Sequence, residues 1–223
     1  DTEILEIIDH HRLGPIQTIT PVFFRNQPLG CTGTIIYKMY QEAGIEIEPV
    51  IAGLMCSAII SDTLIFKSPT CTTDDIEAAT ELARIAGIDP EVYGREMFGA
   101  GSNLDEKTDR EIFYQDFKKF TINDVTIGIG QANAMGPEDI EKIKLKELPF
   151  IDTVVGDGGL DVVYFLMTDI SAECSYVLCS GKNADTIMTL SFGVDKQKDT
   201  YILKNVVSRK KQFLPAIMEA MEQ

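Results

Sequence analysis

The sequence predicts an α/β chain: the remnant of a doubly wound parallel-sheet domain, followed by a smaller mixed-sheet α+β C-terminal domain. Three observations predict it. One β-branched strand near the start is followed by a series of helical periods, as expected of a strand and its covering helices. A stretch of small and polar residues without periodicity, 100–105, interrupts the chain near its middle. Beyond it, strand and helix signals alternate around a hairpin dipeptide, Asn123-Asp124.

Taken in order, residues 4–8 alternate β-branched positions and stop at Asp9-His10-His11-Arg12, before the turn signal Gly14-Pro15. Residues 32–43 read as an amphipathic helix, with Ile35, Ile36, Met39 and Tyr40 at helical spacing and Gly44 as a left-handed cap. Residues 49–60 are apolar nearly all round and predict a fully buried helix that delivers Ser61-Asp62 at its far end. Residues 73–86 place Ile76, Ala79, Leu82, Ala83 and Ala86 on one face, with Thr72 and Asp75 as a capping box and Gly87 as the stop. Asp89 caps a helix over 89–100 with Pro90 at its first position. One recognisable strand cannot make a sheet, so the remaining strands are expected before Asp1.

In the second half, 109–117 predicts a short helix, and 120–122 pairs with 125–131 as a hairpin. An amphipathic helix follows over 137–148, then strands at 162–167, 176–179 and 202–207, and a final helix at 213–221. The predicted domains are therefore 1–100 and 108–223, with 101–107 as linker.

Of 223 residues, 20 are Lys or Arg and 35 are Asp or Glu, for a formal net charge of −15. Such a field argues against general binding to nucleic acid or to an anionic membrane. The longest apolar run, Val50 to Ile60, is eleven residues, short of the roughly 20 that a spanning helix needs. No secretory signal pattern precedes the first strand. Five cysteines, Cys31, Cys56, Cys71, Cys174 and Cys179, form no C-x-x-C pair. They read as reduced thiols of a cytoplasmic protein rather than a zinc site or a nucleophile.

Three features carry chemistry. The two histidines of the chain stand side by side, His10 and His11, at a strand's carboxyl end. Open α/β sheets bind ligands at such ends, and imidazole suits first-row divalent metals, while a surface turn is the plain alternative. Asp9 is placed to orient a histidine or to accept backbone N–H groups. Asp62 follows the apolar helix, where desolvation would need a cation or donors to offset it, unless it only caps the helix end. Ser208-Arg209-Lys210-Lys211-Gln212 reverses the local charge between a strand and a helix, which suits a small, multiply charged anion. Lys118 and Lys119 are a weaker case of the same kind. Gly156-Asp157-Gly158-Gly159 has neither phosphate-loop nor dinucleotide spacing and reads as a loop.

Asp9-His10-His11-Arg12, Ile59-Ile60-Ser61-Asp62 leading to Lys67-Ser68-Pro69-Thr70, Gln131-Ala132-Asn133 and Ser208-Arg209-Lys210-Lys211-Gln212 occur in this order along the chain. The set resembles the manganese-dependent, or family II, inorganic pyrophosphatases of the DHH phosphoesterase superfamily. The last motif distinguishes them from nuclease-like members, which end in a Gly-Gly-Gly-His signature absent here.

The resemblance implies hydrolysis of pyrophosphate at a cluster of Mn²⁺ or Co²⁺, with Mg²⁺ as a further candidate at the substrate. His10 and Asp62 match metal ligands, and His11 matches a residue that contacts the substrate phosphate. Lys118, Arg209 and Lys210 match residues that grip pyrophosphate as the C-terminal domain closes, while a metal-bridging hydroxide attacks phosphorus in line. His11, Lys118, Arg209 and Lys210 are thus the expected catalytic and substrate-binding residues. Family members carry further ligands on a His-x-x-x-Asp-x-Asp segment and a later Asp ahead of the region matched here. The expectation is therefore that this chain is a piece of a longer enzyme and inactive or nearly so alone. Family members often form homodimers, and some carry upstream CBS domains, of which residues 12–18 are weakly reminiscent. Two other readings compete: a DHH phosphoesterase cleaving polyphosphate, separable by chain-length preference, and a non-catalytic anion-binding or regulatory module.

Overall fold

The structure, a computed structural model, describes residues 3–102 and 104–222. The chain divides into two compact units, Asp1–Glu96 and Met97–Gln223. The division falls inside a helix, α4 (Pro90–Ser102), which runs into the range expected to be linker. Asn103, in that range, lies outside the described residues.

In the first unit, β1 (Glu6–Asp9) pairs in parallel with β2 (Phe23–Asn26), in a register that sets Asp9 opposite Asn26. Of the two strands only β1 is legible in the sequence, because Phe23-Phe24-Arg25-Asn26 is too short to show alternation. The helices α1 (Thr32–Ala43), α2 (Pro49–Asp62) and α3 (Thr73–Ala86) follow. Gly44 and Gly87 close α1 and α3 at φ of 64° and 70°, a region that a β-carbon disfavours. Thr72 and Asp75 form the expected capping box. Asp89 accepts from the backbone N–H groups of Glu91 and Val92 at the start of α4.

The expectation that α2 is fully buried is corrected. Ala52, Met55, Cys56, Ile59 and Ile60 are buried, but Val50 is 72% and Leu54 64% exposed. Uniform hydrophobicity does not say which face a helix buries, and here one face of α2 stays at the surface. After α2 the backbone makes three successive left-handed residues, Leu64, Ile65 and Phe66, at φ of 51°, 53° and 64°. For non-glycine residues this costs roughly 1–2 kcal/mol each. Bonds from Ile65 N to Ile60 O and from Ser68 N to Thr63 O hold the turn closed.

The second unit is a five-stranded mixed sheet of order β3-β4-β5-β6-β7. Its strands are β3 (Phe117–Ile122), β4 (Val125–Ala134), β5 (Val162–Asp169), β6 (Cys174–Gly181) and β7 (Tyr201–Lys204). Only the β4–β5 pair is parallel. Asn123 and Asp124 turn the β3–β4 hairpin, both left-handed as a tight hairpin requires. β5 is buried at every position, and its side chains alternate between two cores. Val163, Phe165 and Met167 pack with α5 (Asp109–Tyr114) and α6 (Pro137–Val154). Val162, Tyr164 and Leu166 pack with α7 (Ala184–Phe192) and α8 (Leu214–Met221). The sheet is thus covered on both faces by helices.

One boundary is corrected, and one helix is added. α6 does not stop at Leu148 but passes through Pro149 to Val154. Its buried stripe, Ile140, Ile143, Glu147, Ile151 and Val154, continues across the proline, so tertiary packing outweighs the lost hydrogen bond. α7 was not anticipated at all. All five cysteines are free, and among the described residues no helix is long and apolar enough to cross a membrane.

Candidate functional site

In the first unit, β1 ends at Asp9, and the chain turns so that Asp9, His10 and His11 bring their potential ligand atoms within 4.8 Å of one another. Asp9 Oδ1 accepts from the His10 backbone N–H at 2.8 Å and from His11 Nδ1 at 2.7 Å. The His11 hydrogen bond is the main reason that the Asp9 carboxyl is held below the usual carboxylate range. His10 Nδ1 lies 3.0 Å from the carbonyl of Leu29. A carbonyl only accepts, so Nδ1 carries the proton and the Nε2 lone pair is left for a ligand. His11, oriented by a carboxylate, likewise keeps Nε2. Asn26 Nδ2 donates to the His11 carbonyl at 3.0 Å and ties the turn to β2.

The donor set fits a first-row divalent ion: imidazole nitrogens oriented through their other nitrogen, beside a carboxylate. Asp62 is not part of that group of three. It ends α2 as an exposed residue, which corrects the argument that it is desolvated. Its neighbour is Cys31, the N-cap of α1, whose sulfur accepts from Gly33 N at 3.2 Å. Burial and the Asp62 carboxylate push the Cys31 thiol up to about 12, so it acts as a donor to Asp62 and not as a thiolate.

The link from α3 to the histidines has no signal in the sequence. Asp75 is completely buried and accepts from Gly30 N at 2.8 Å, Thr34 Oγ1 at 2.5 Å, and Thr72 N and Oγ1 at 2.8 and 2.6 Å. Burial raises its pKa, but the hydrogen bonds from Thr34, Thr72 and Gly30 outweigh it and hold the carboxyl below its ordinary value. Gly30 follows Leu29, whose carbonyl holds His10, and a β-carbon on Gly30 would lie 2.7 Å from Asp75 Oδ2. Asp75→Ala leaves these donors unpaired and is expected to cost about 2–4 kcal/mol. Asp75→Asn, keeping one acceptor, is expected to lose less. Melting of both variants by circular dichroism checks this, and equal melting points for wild type and Asp75→Ala would refute it.

In the second unit, Lys118 is exposed on β3 opposite Ile129 of β4. Arg209 opens a π-helical turn, Arg209–Phe213, a geometry that often marks functional sites. Its guanidinium reaches the carbonyl of Ile129, the residue opposite Lys118, and the main-chain oxygen and Oδ1 of Asp116, so Arg209 is anchored to the strand pair that carries Lys118. Lys210 is exposed and has no ionic partner among the described residues. Gln131 Nε2 donates to the Val207 carbonyl, and Gln212 Oε1 accepts from Val207 N and Ser208 N. The glutamines of two separate motifs thus fasten the same basic turn.

Sequence models of two families match: the DHH family N-terminal domain over residues 1–59, and the DHHA2 domain over residues 95–220. The manganese-dependent inorganic pyrophosphatase of Bacillus subtilis is 44% identical over 99% of this chain and 71% of its own length. The cobalt-dependent inorganic pyrophosphatase of Clostridium perfringens is 46% identical over 98% of this chain and 40% of its own. A crystal structure from Methanococcus jannaschii, assigned as a family II inorganic pyrophosphatase, superposes with a TM-score of 0.80 at 36% identity, covering 99% of this chain and 74% of that one.

Proposed function

We propose, from the premise that this chain belongs to the family II, manganese-dependent inorganic pyrophosphatases, that it serves the hydrolysis of inorganic pyrophosphate to two phosphates. The observation that carries the reading is the Asp9–His10–His11 cluster, in which both imidazoles are fixed through Nδ1 and offer Nε2. His10 and Asp62 are the side chains that would hold Mn²⁺ or Co²⁺, the ions of the named relatives. When bound, such an ion lowers the pKa of water to supply a nucleophile and polarises the phosphoryl oxygens. His11 turns Nε2 to a phosphate group, donating to its oxygen where Nε2 carries a hydrogen and accepting from a phosphate hydroxyl where it does not, with Asp9 fixing its ring.

Lys118, Arg209 and Lys210 bind the substrate and neutralise charge on the departing phosphate. In a chain of net charge −15, they supply positive charge that the surroundings do not. The names of the relatives do not favour a polyphosphate-cleaving enzyme or a non-catalytic module. The test is phosphate release from pyrophosphate and from tripolyphosphate by a Mn²⁺-loaded enzyme that joins this chain to the family's His-x-x-x-Asp-x-Asp segment, with an Arg209→Ala variant. Release is expected from pyrophosphate in preference, falling about a hundredfold in the variant, the cost of one lost transition-state donor. Release from tripolyphosphate in preference, or none from either, would overturn the reading.

A further inference from the structure

Arg209 is not a loose cation at the tip of a turn. Its side chain is only 11% exposed. Nη1 donates to the main-chain oxygen of Asp116 at 2.6 Å and, at 3.4 Å, to that of Ile129, while Nη2 donates to Asp116 Oδ1 at 2.8 Å. The Asp116 oxygen is itself fixed, since it also accepts from Gln131 N at 3.1 Å. Asp116 therefore takes the terminal edge of the guanidinium, one bond to each terminal nitrogen, with its carbonyl and its carboxylate.

A guanidinium has N–H groups in a rigid planar fork. With the Nη1–Nη2 edge taken, Nε–H and the second Nη2–H remain, and they project in parallel from the adjoining edge. Among the described residues no acceptor meets them. Two parallel N–H groups match two oxygens of one phosphate. An acidic side chain beside an anion site is unfavourable by charge alone, so its presence needs a compensating gain, and orientation is such a gain.

The geometry points to Asp116 as a positioning residue, which holds one edge of Arg209 and so presents the Nε–Nη2 edge to a phosphate of the substrate. Because Asp116 stands two residues before Lys118, one anchor at the entry to β3 sets the place of both cations. The inference rests on the reading that Arg209 binds pyrophosphate.

The test is calorimetric titration of imidodiphosphate, a non-hydrolysable analogue, into the Mn²⁺-loaded enzyme that joins this chain to the family's His-x-x-x-Asp-x-Asp segment. Asp116→Ala is expected to weaken binding about tenfold, which is ~1.4 kcal/mol. Asp116→Asn, which keeps an acceptor at Oδ1, recovers most of that loss. Asp116→Glu keeps the charge but moves the carboxylate by a methylene, so it also weakens binding, and it carries the test if Asp116→Ala fails to fold. In an Arg209→Ala background, Asp116→Ala is expected to change affinity by less than about twofold, because the residue it acts through is gone. An equal loss in both backgrounds overturns the inference. So does an Asp116→Asn variant that binds more tightly than wild type, since the carboxylate would then compete with phosphate for Arg209. If Arg209→Ala binds the analogue as wild type does, the reading of Arg209 as a phosphate ligand fails, and the role of Asp116 falls with it.

Discussion

In an enzyme that joins this chain to the family's His-x-x-x-Asp-x-Asp segment, His10→Ala is expected to lower Mn²⁺-dependent phosphate release on the order of a thousandfold and to weaken Mn²⁺ binding in parallel. The size follows from what the ring is proposed to do. Its Nδ1–H is committed to the Leu29 carbonyl at 3.0 Å, so Nε2 is held in one place as a lone-pair donor before any ion arrives. Loss of a group that merely orients a ligand costs about 10–100-fold in metal affinity, and loss of the ligand itself should exceed that. His10→Gln tests orientation separately from donation, since its amide oxygen is a poorer donor on a more flexible stem. Manganese affinity, followed by electron paramagnetic resonance of the free ion, gives a readout independent of turnover. Unchanged affinity in His10→Ala would remove His10 from the metal site, whatever the activity showed.

How much of this was legible in the sequence depends on the range of each interaction. The helices α1 and α3 were readable to their ends because their signals are local: a left-handed glycine at Gly44 and Gly87, and a capping box four residues wide. The Asn123-Asp124 hairpin is of the same kind. The Asp9-His10-His11 cluster was readable because its members are contiguous, and the basic turn because its charge opposes that of the chain.

What was not legible depends on contacts between distant residues. Asp75 looked like a helix cap and nothing more; its bond to Gly30, 45 residues away, exists only in the fold. Asp116 and Arg209 lie 93 residues apart, and no spacing rule joins them. The left-handed run Leu64-Ile65-Phe66 was invisible for a different reason. Bulky and β-branched residues disfavour that conformation, so propensity argues against what tertiary bonds impose. Asp62 was misjudged as desolvated because an apolar helix was taken to be buried to its last residue, whereas α2 ends at the surface.

Glu147 gives the second large effect, and it is one of stability. The stripe Ile140, Ile143, Glu147, Ile151, Val154 places this carboxyl squarely on the core face of α6, where it is fully buried. Neither oxygen has a hydrogen-bond partner among the described residues. Burial first, then the nearby charge of Asp109 at the start of α5, pushes its pKa to about 8, with Lys146 opposing. Lys146 gives little relief, because its ammonium is spent on the carbonyls of Leu104 and Lys107, each at 2.6 Å.

In the unfolded chain the same group titrates near 4.5. Below that value both states are protonated and Glu147 imposes no ionisation cost. Between 4.5 and about 8 the unfolded chain loses the proton while the folded one keeps it, so stability falls as pH rises, and above about 8 the cost is complete. The accumulated loss is a few kcal/mol, at ~1.4 kcal/mol for each pH unit between the two values. Carboxylates such as Asp9 and Asp75, whose folded values are depressed, contribute in the opposite sense at lower pH. The measurement must therefore be a difference between wild type and Glu147→Leu, which fills the site without a charge. Hydrogen exchange of the β5 amides reports on the core that Glu147 shares. The variant is expected to gain protection over wild type steadily from pH 5 to pH 8 and no further above it. A constant difference across that range would mean that Glu147 is solvated or paired in solution, and the buried, neutral carboxyl would be excluded.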